Sequence, residues 1–259
     1  MRYFLKKIKS KVSSLVCQFL RVDHIRLFIG SLRLKYFALT RGIKSLESDN
    51  AFELTIFHNM KSVKNHKLDF LMPRMNKLIL PLLGIETVFP ESSILVIGPR
   101  TENDLLRLFS WGFKNVKGLD LISYSPLIDL GDMHSMPYED SSFDVIICGW
   151  TISYSKNPEK AASEMIRVIK SGGIIGIAVD FSNMSPIEAE KKFGYSIEPT
   201  DGGFVRLNSA EQLYELFGDV ISHIYFCNNA PLRDNVEILQ QNSLYPNSTV
   251  VTIFSISKE

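Results

Sequence analysis

The sequence predicts an α/β fold: a doubly wound, mostly parallel sheet with an antiparallel last strand, preceded by a helical arm. Three observations carry this. From residue 92 onward, short apolar runs bounded by Gly, Asp or Ser alternate with stretches of helical period, the pattern of strands joined by crossover helices. The last two strand-like runs are separated by a long loop, which suits an antiparallel edge pair. Charge is divided unevenly. Residues 1–46 hold eleven Lys or Arg and the single acid Asp23, so the remaining 18 bases and 27 acids leave an acidic body behind a basic arm.

The 259 residues are 45% hydrophobic and 22% charged, which places the chain among globular proteins, and 15 Gly with 11 Pro exclude collagen-like and low-complexity classes. Cys17, Cys148 and Cys227 are odd in number, widely spaced and without a C-x-x-C. That argues against a disulfide framework or structural zinc, and for a reducing, cytoplasmic setting. The most apolar stretch, from Leu78 to Ile85, is broken by Pro81 and Gly84 and falls well short of the ~18 to 20 residues of a spanning helix. The opening MRYFLKKIKSKVSSLVCQFL has a basic and then an apolar part, but polar interruptions and the lack of a small-residue cleavage pattern argue against a secretory signal.

Each element follows from its own pattern. In the arm, residues 1–46, Leu5, Ile8, Val12, Leu15 and Phe19 recur at helical steps, as do Ile25, Phe28, Ile29, Leu32, Tyr36 and Leu39. Val22 to His24 make a turn between these two amphipathic helices, and Gly42 ends the second. Residues 47–90 form a helical connecting segment and 91–259 the sheet domain. There the expected strands are 93–97, 116–121, 143–148 and 174–180, with helices over 102–111 and 158–170. A helix over 210–217 and strands over 220–226 and 248–256 follow. Only seven residues separate Asp120 from Ile128, whereas a parallel crossover needs about a dozen, so the second crossover helix is expected to be absent and the next strand very short.

Three motifs carry chemistry. ILVIGPRTENDLLRLF is a strand that stops at Gly98 and gives way to a helix with Thr101 as its expected N-cap, a place where backbone amides can meet a ligand. Its single glycine makes it neither a dinucleotide fingerprint nor a P-loop. Asp120 follows Gly98 by twenty-two residues at a second strand's tip, where an acid can accept hydrogen bonds from a ribose diol or serve as a loop cap. In GDMHSMPYEDSSFDVIICGW, Asp132 stands where an acid can accept a proton from an adenine amino group. No His and carboxylate cluster has metal-ligand spacing, and no nucleophile motif is present.

In this order the features resemble S-adenosylmethionine-dependent methyltransferases of the Rossmann-like class, in particular those acting on small molecules. The resemblance rests most on GDMHSMPYEDSSFDVI and NPEKAASEMIRVIKSGGIIGIAV. It implies S-adenosylmethionine as cofactor, Gly98 as first glycine of its loop, Asp120 as the ribose acid, and Asp132 with Met133 as the adenine pair. Gly149, Trp150 and Thr151 then border the methyl-transfer site. The loop departs from the family at Val96, Arg100 and Glu102, where an acid and further glycines usually stand. Arg100 with the cofactor carboxylate and Glu102 with its ammonium match in sign, and the alternative is that the two pair with each other.

The implied reaction is methyl transfer to a small-molecule, glycan or lipid-linked acceptor. His134, Tyr154 and Asp180 are candidates for taking a proton from it, and Trp150 with Tyr154 for an aromatic wall. The competing reading is a non-catalytic adenosine-binding or scaffold module on the same fold. Nucleic acid is disfavoured because the arm lacks an RNA-binding aromatic signature and the body is acidic. The basic amphipathic arm suits peripheral contact with the inner membrane surface, or packing as a lid on the acidic body.

Overall fold

A computed structural model describes residues 15–47, 53–64, 74–155, 157–181, 207–229 and 249–258. Residues 15–21 are helical, and Leu5, Ile8 and Val12 of the first expected arm helix lie outside the described residues. The elements run α1 Asp23–Arg41, β1 Lys44–Ser45, α2 Glu53–Lys64, α3 Asn76–Leu82, β2 Ser93–Ile97, α4 Asn103–Ser110, β3 Asn115–Asp120, β4 Ile122–Ser123, β5 Ile128–Leu130 and β6 Phe143–Gly149. After a 3-10 turn at Thr151–Tyr154 come α5 Pro158–Val168, β7 Ile169–Asp180, α6 Ala210–Glu215, a second 3-10 turn, β8 Ile221–Asn228 and β9 Thr249–Ile256. The mixed sheet has the strand order β5-β3-β2-β6-β7-β9-β8. The chain divides into two compact units, one of residues Met1–Pro73 with Glu86–Pro137 and one of Arg74–Ile85 with Tyr138–Glu259.

In the first unit β2 and β3 pair in parallel from Ser93↔Asn115 to Ile97↔Leu119, and β3 pairs in parallel with the three-residue β5. SILVI is a continuous apolar run because both faces of β2 are covered, and Ile94, Leu95 and Val96 have no exposure. No helix lies between Asp120 and Ile128. Instead β4 turns back to pair antiparallel with β1, Lys44 opposite Ser123, and the Leu46 amide extends the ladder to the Leu121 carbonyl at 2.8 Å. The arm thus stitches the segment that stands where a crossover helix is usual.

Helix α1 packs on α4 and buries Arg26, Leu27, Gly30 and Leu34. This corrects the expectation from periodicity: Phe28, Leu32, Tyr36 and Leu39 of the apolar stripe are exposed. The buried face includes an arginine and a glycine, which hydropathy does not mark. Arg26 donates through Nη1 to the Leu20 carbonyl at 3.0 Å and through Nη2 to Asp23 at 2.7 Å, while its buried Nε has no partner among the described residues. Gly30 lets the helices approach, since a Cβ there would run into the Asn103 side chain. A second correction concerns the start of α4, which begins at Asn103 with Glu102 at the N-cap position, while the Thr101 hydroxyl lies 3.5 Å from the Asn103 amide.

In the second unit β6 and β7 pair in parallel, and β9 lies antiparallel between β7 and β8, as expected for the last strands. Ser171, Gly172 and Gly173 form no separate turn before the strand. They are absorbed as a bulge in β7, between the pairs Phe143↔Ile169 and Val145↔Ile174, and Gly172 takes the positive φ of 77° that the bulge needs. Helix α5 starts on Asn157, whose side chain accepts from the Lys160 amide at 2.8 Å, with Pro158 in the first helical turn. Helix α3 packs on β7 and β9 through Leu78, Ile79 and Leu82.

Candidate functional site

The first unit gathers Gly98, Arg100, Asp120 and Asp132. Gly98 ends β2 with φ 68° and donates its amide to the Leu119 carbonyl at 2.8 Å. Arg100 also lies in the left-handed region, φ 54°, with its side chain exposed. That turn aims its amide at Asp120 Oδ2, 2.7 Å away, while the Ile122 amide reaches Oδ1 at 3.2 Å. Burial pushes the Asp120 carboxyl up from 3.8 to about 6, against the backbone amides of Arg100, Ile122 and Leu121 and the Arg100 charge, which pull it down. A carboxylate offers about four acceptor positions, so these three amides leave room for one further donor.

Asp132 lies beyond β5, half-buried, and its Oδ1 meets both the His134 amide at 3.0 Å and the His134 ring Nδ1 at 2.6 Å. Burial raises its pKa, but the His134 contacts outweigh this and hold the carboxyl below the usual range. Met133 is half-buried beside it. His134 is thereby tied to Asp132, the acid expected to meet the adenine.

Glu102 corrects an expectation. It has no exposure, and its carboxylate is gripped by Arg33 Nε and Nη2 from α1 and accepts from the Ser125 hydroxyl. Its amide donates to the Tyr124 hydroxyl at 3.0 Å. The group therefore faces the interior of the first unit, away from any cofactor ammonium, and pairs with Arg33 rather than Arg100. Sequence reasoning missed Arg33, Tyr124 and Ser125; the only signal was an acid in a segment otherwise destined for burial, which must find a cation.

The second unit holds Gly149, Trp150, Tyr154 and Asp180. Trp150 follows β6 in the left-handed conformation, φ 63°, and is buried. Its Nε1–H donates to Asp180 Oδ1 at 2.7 Å, at the carboxyl end of β7. Arg74 lies over the Trp150 ring, 4.5 Å from its centroid, and reaches Asp180 Oδ2 at 3.2 Å. Lys77 donates to the Thr249 hydroxyl at 2.6 Å, and burial lowers its pKa despite Asp180 nearby. Gly149 has no room for a side chain because Met75 packs against it. Tyr154 is 47% exposed, whereas Trp150 is buried. Arg74 and Lys77 escaped the sequence reading because their partners lie 106 and 172 residues away. Among the described residues no group of three His, Cys, Asp or Glu is placed to hold a metal, and no helix is long and apolar enough to cross a membrane.

Comparison with known proteins bears on the family and the fold. Residues 104–177 match the family described as Methyltransferase domain. A segment of 44 residues is 50% identical to the biotin biosynthesis bifunctional protein BioHC of Teredinibacter turnerae, covering 17% of this chain and 8% of that protein. Another of 54 residues is 41% identical to the demethylmenaquinone methyltransferase of Desulfitobacterium hafniense, covering 20% of this chain and 21% of that one. The chain thus matches under a quarter of the length of either relative. Among solved structures, a chain from the complex between the Haloferax volcanii Trm112 methyltransferase activator and a methyltransferase superposes with TM-score 0.50 at 17% identity, over 81% of this chain and 97% of that one. At that identity the likeness establishes the fold.

Proposed function

We propose that this chain, which carries a methyltransferase domain over residues 104–177 on a Rossmann-like sheet, transfers a methyl group from S-adenosylmethionine to a small-molecule, glycan or lipid-linked acceptor. The observation that carries the reading is Asp120 at the tip of β3, a buried carboxylate held, among the described residues, by backbone amides and the nearby Arg100 charge, with acceptor capacity left over. That donor and acceptor set fits a ribose diol.

When bound, the cofactor supplies a sulfonium whose methyl carbon is already electrophilic, so the chain's own work is placement and exclusion of water. Asp120 holds the ribose hydroxyls. Asp132, fixed by His134, accepts from the adenine amino group beside Met133. Gly98 lets the backbone come close, and the exposed Arg100 suits the methionine carboxylate in sign. Within the second unit Asp180 holds the Trp150 indole next to Gly149. Tyr154 is a candidate for relaying a proton.

Calorimetry with S-adenosylmethionine tests this directly. Asp120→Ala and Asp132→Ala should each weaken binding by about 1 to 3 kcal/mol, the cost of leaving a buried donor unpaired. Unchanged affinity in both variants would remove the site assignment. Binding with no methyl transferred to any acceptor in an extract treated with labelled cofactor would identify the non-catalytic module instead.

A further inference from the structure

We propose that the arm docks on an anionic phospholipid surface through the solvent side of α1 and of the helical residues 15–21. The inference deepens the lipid-linked, peripheral part of the functional reading, and it stands on the first unit alone. Helix α1 is apolar on two sides. At about 100° per residue, Phe28, Leu32, Tyr36 and Leu39 fall within one arc of about 80°, while the buried Arg26, Leu27, Gly30 and Leu34 lie on the opposite side. One side is satisfied by α4. The other faces water, with Phe28 63%, Tyr36 62% and Leu39 87% exposed, and in the preceding helical residues Leu15, Val16 and Phe19 are themselves 51 to 54% exposed. An apolar stripe of this length on a soluble surface marks an interaction site.

Charge selects the occupant. Residues 1–46 carry eleven bases against one acid. The structure uses Arg26 and Arg33 internally and lays Arg21 over the Trp111 ring, leaving Lys35, Arg41 and Lys44 exposed on the arm. The sequence of residues 1–14 adds five bases and no acid. A second copy of the chain would bring one strongly basic arm against another. Nucleic acid would engage the bases and leave the Phe, Leu and Tyr stripe in water. An anionic bilayer meets both halves: aliphatic and aromatic side chains enter the headgroup boundary while Lys and Arg contact acidic lipid.

Co-sedimentation of the full chain with vesicles decides it, using phosphatidylcholine alone and phosphatidylcholine mixed equally with phosphatidylserine. Removal of the arm is unsuitable, because Leu27, Leu34 and Arg33 belong to the fold of the first unit. The wild-type chain should sediment with the anionic vesicles at low salt, less so as salt rises, and stay in solution with the neutral ones. Leu32→Ser with Leu39→Ser, both at exposed positions, should weaken this by about tenfold or more with an unchanged unfolding curve. Lys35→Glu with Arg41→Glu should weaken it comparably. A wild-type chain that ignores anionic vesicles overturns the proposal, as does a Leu32 and Leu39 double variant that binds normally, or a wild-type dimer that this variant converts to monomer. No cofactor enters the assay, so its failure leaves the methyl-transfer reading standing, and failure of cofactor binding leaves this one.

Discussion

Arg33 closes on both oxygens of Glu102, Nε on Oε2 at 2.5 Å and Nη2 on Oε1 at 3.0 Å, across 69 residues of sequence. The acid is wholly buried and the cation about a third exposed. Through Ser125 and Tyr124 the same residue also holds the segment between β3 and β5. Arm, cofactor loop and the stretch without a crossover helix therefore meet on one carboxylate.

Arg33→Ala should leave that carboxylate without its cation. Breaking a buried pair from one side costs about 3 to 5 kcal/mol, and the partial exposure of Arg33 places the expected loss at or below the lower figure. Urea unfolding of Arg33→Ala, Glu102→Gln and the double variant tests it. Glu102→Gln should recover much of the loss in the Arg33→Ala background, because the uncompensated charge is gone.

Asp120 predicts a pH dependence of stability. Its folded pKa, about 6, lies above the ordinary 3.8, so the folded chain binds the extra proton between those values. This contribution is present below about pH 4 and is lost as pH rises through about 6, a change of about 3 kcal/mol at about 1.4 kcal/mol per pH unit. Unfolding free energies of wild type and Asp120→Asn, measured across that window, should diverge with this sign. Cofactor affinity should rise over the same window, since the ribose contact uses the ionised form.

Gly118 in the middle of β3 admits the loop after β2. A Cβ there would stand 2.7 Å from Pro99 Cγ and 3.3 Å from Ile128 Cγ1. Gly118→Ala should cost about 1 to 3 kcal/mol by overpacking and should push Pro99 outward, weakening cofactor binding as well. Thermal unfolding and calorimetry on the same variant read the two effects separately.

Trp150→Phe removes the Nε1–H that Asp180 accepts while keeping a ring beneath Arg74. A hydrogen bond to a charged group contributes about 1.5 to 3 kcal/mol, and the one-third exposure of Asp180 favours the low end. If the variant unfolds at the same urea concentration as wild type, Asp180 finds its partner elsewhere.

Most of the sheet was legible in the sequence. SILVI, FDVIIC and GIIGIAVD are mostly apolar runs because both faces are covered; the first two match the observed strands to within a residue, while β7 begins at Ile169, five residues before the expected 174, because the bulge absorbs Ser171 to Gly173. Counting seven residues from Asp120 to Ile128 was enough to exclude a helix and to make β5 short. What stayed hidden depended on contacts distant in sequence. The buried side of α1 carries Arg26 and Gly30, whose roles come from Asp23 and Asn103 and not from hydropathy, so periodicity leaves open whether the more apolar side packs on the body or meets a surface. Glu102 reads as a loop acid until Arg33 is seen beside it. Arg74 and Lys77 reach Asp180 and Thr249 only after the sheet has formed.

The long separations within the first unit also set an order of events during synthesis. Helix α1 can coil in about a microsecond once its residues are free. Its partners Glu102 and α4 are made 69 or more residues later, about 3 to 14 s at about 5 to 20 residues per second. Strand β1 waits longer still for Ser123. Throughout that interval both apolar sides of α1 are open, the inner with the outer, and the nascent chain is at its stickiest. An N-terminal helix whose docking site is encoded so far downstream makes folding of this unit a matter of long-range closure, slow for its size, and makes α1 the segment on which a chaperone or an early lipid contact would act first.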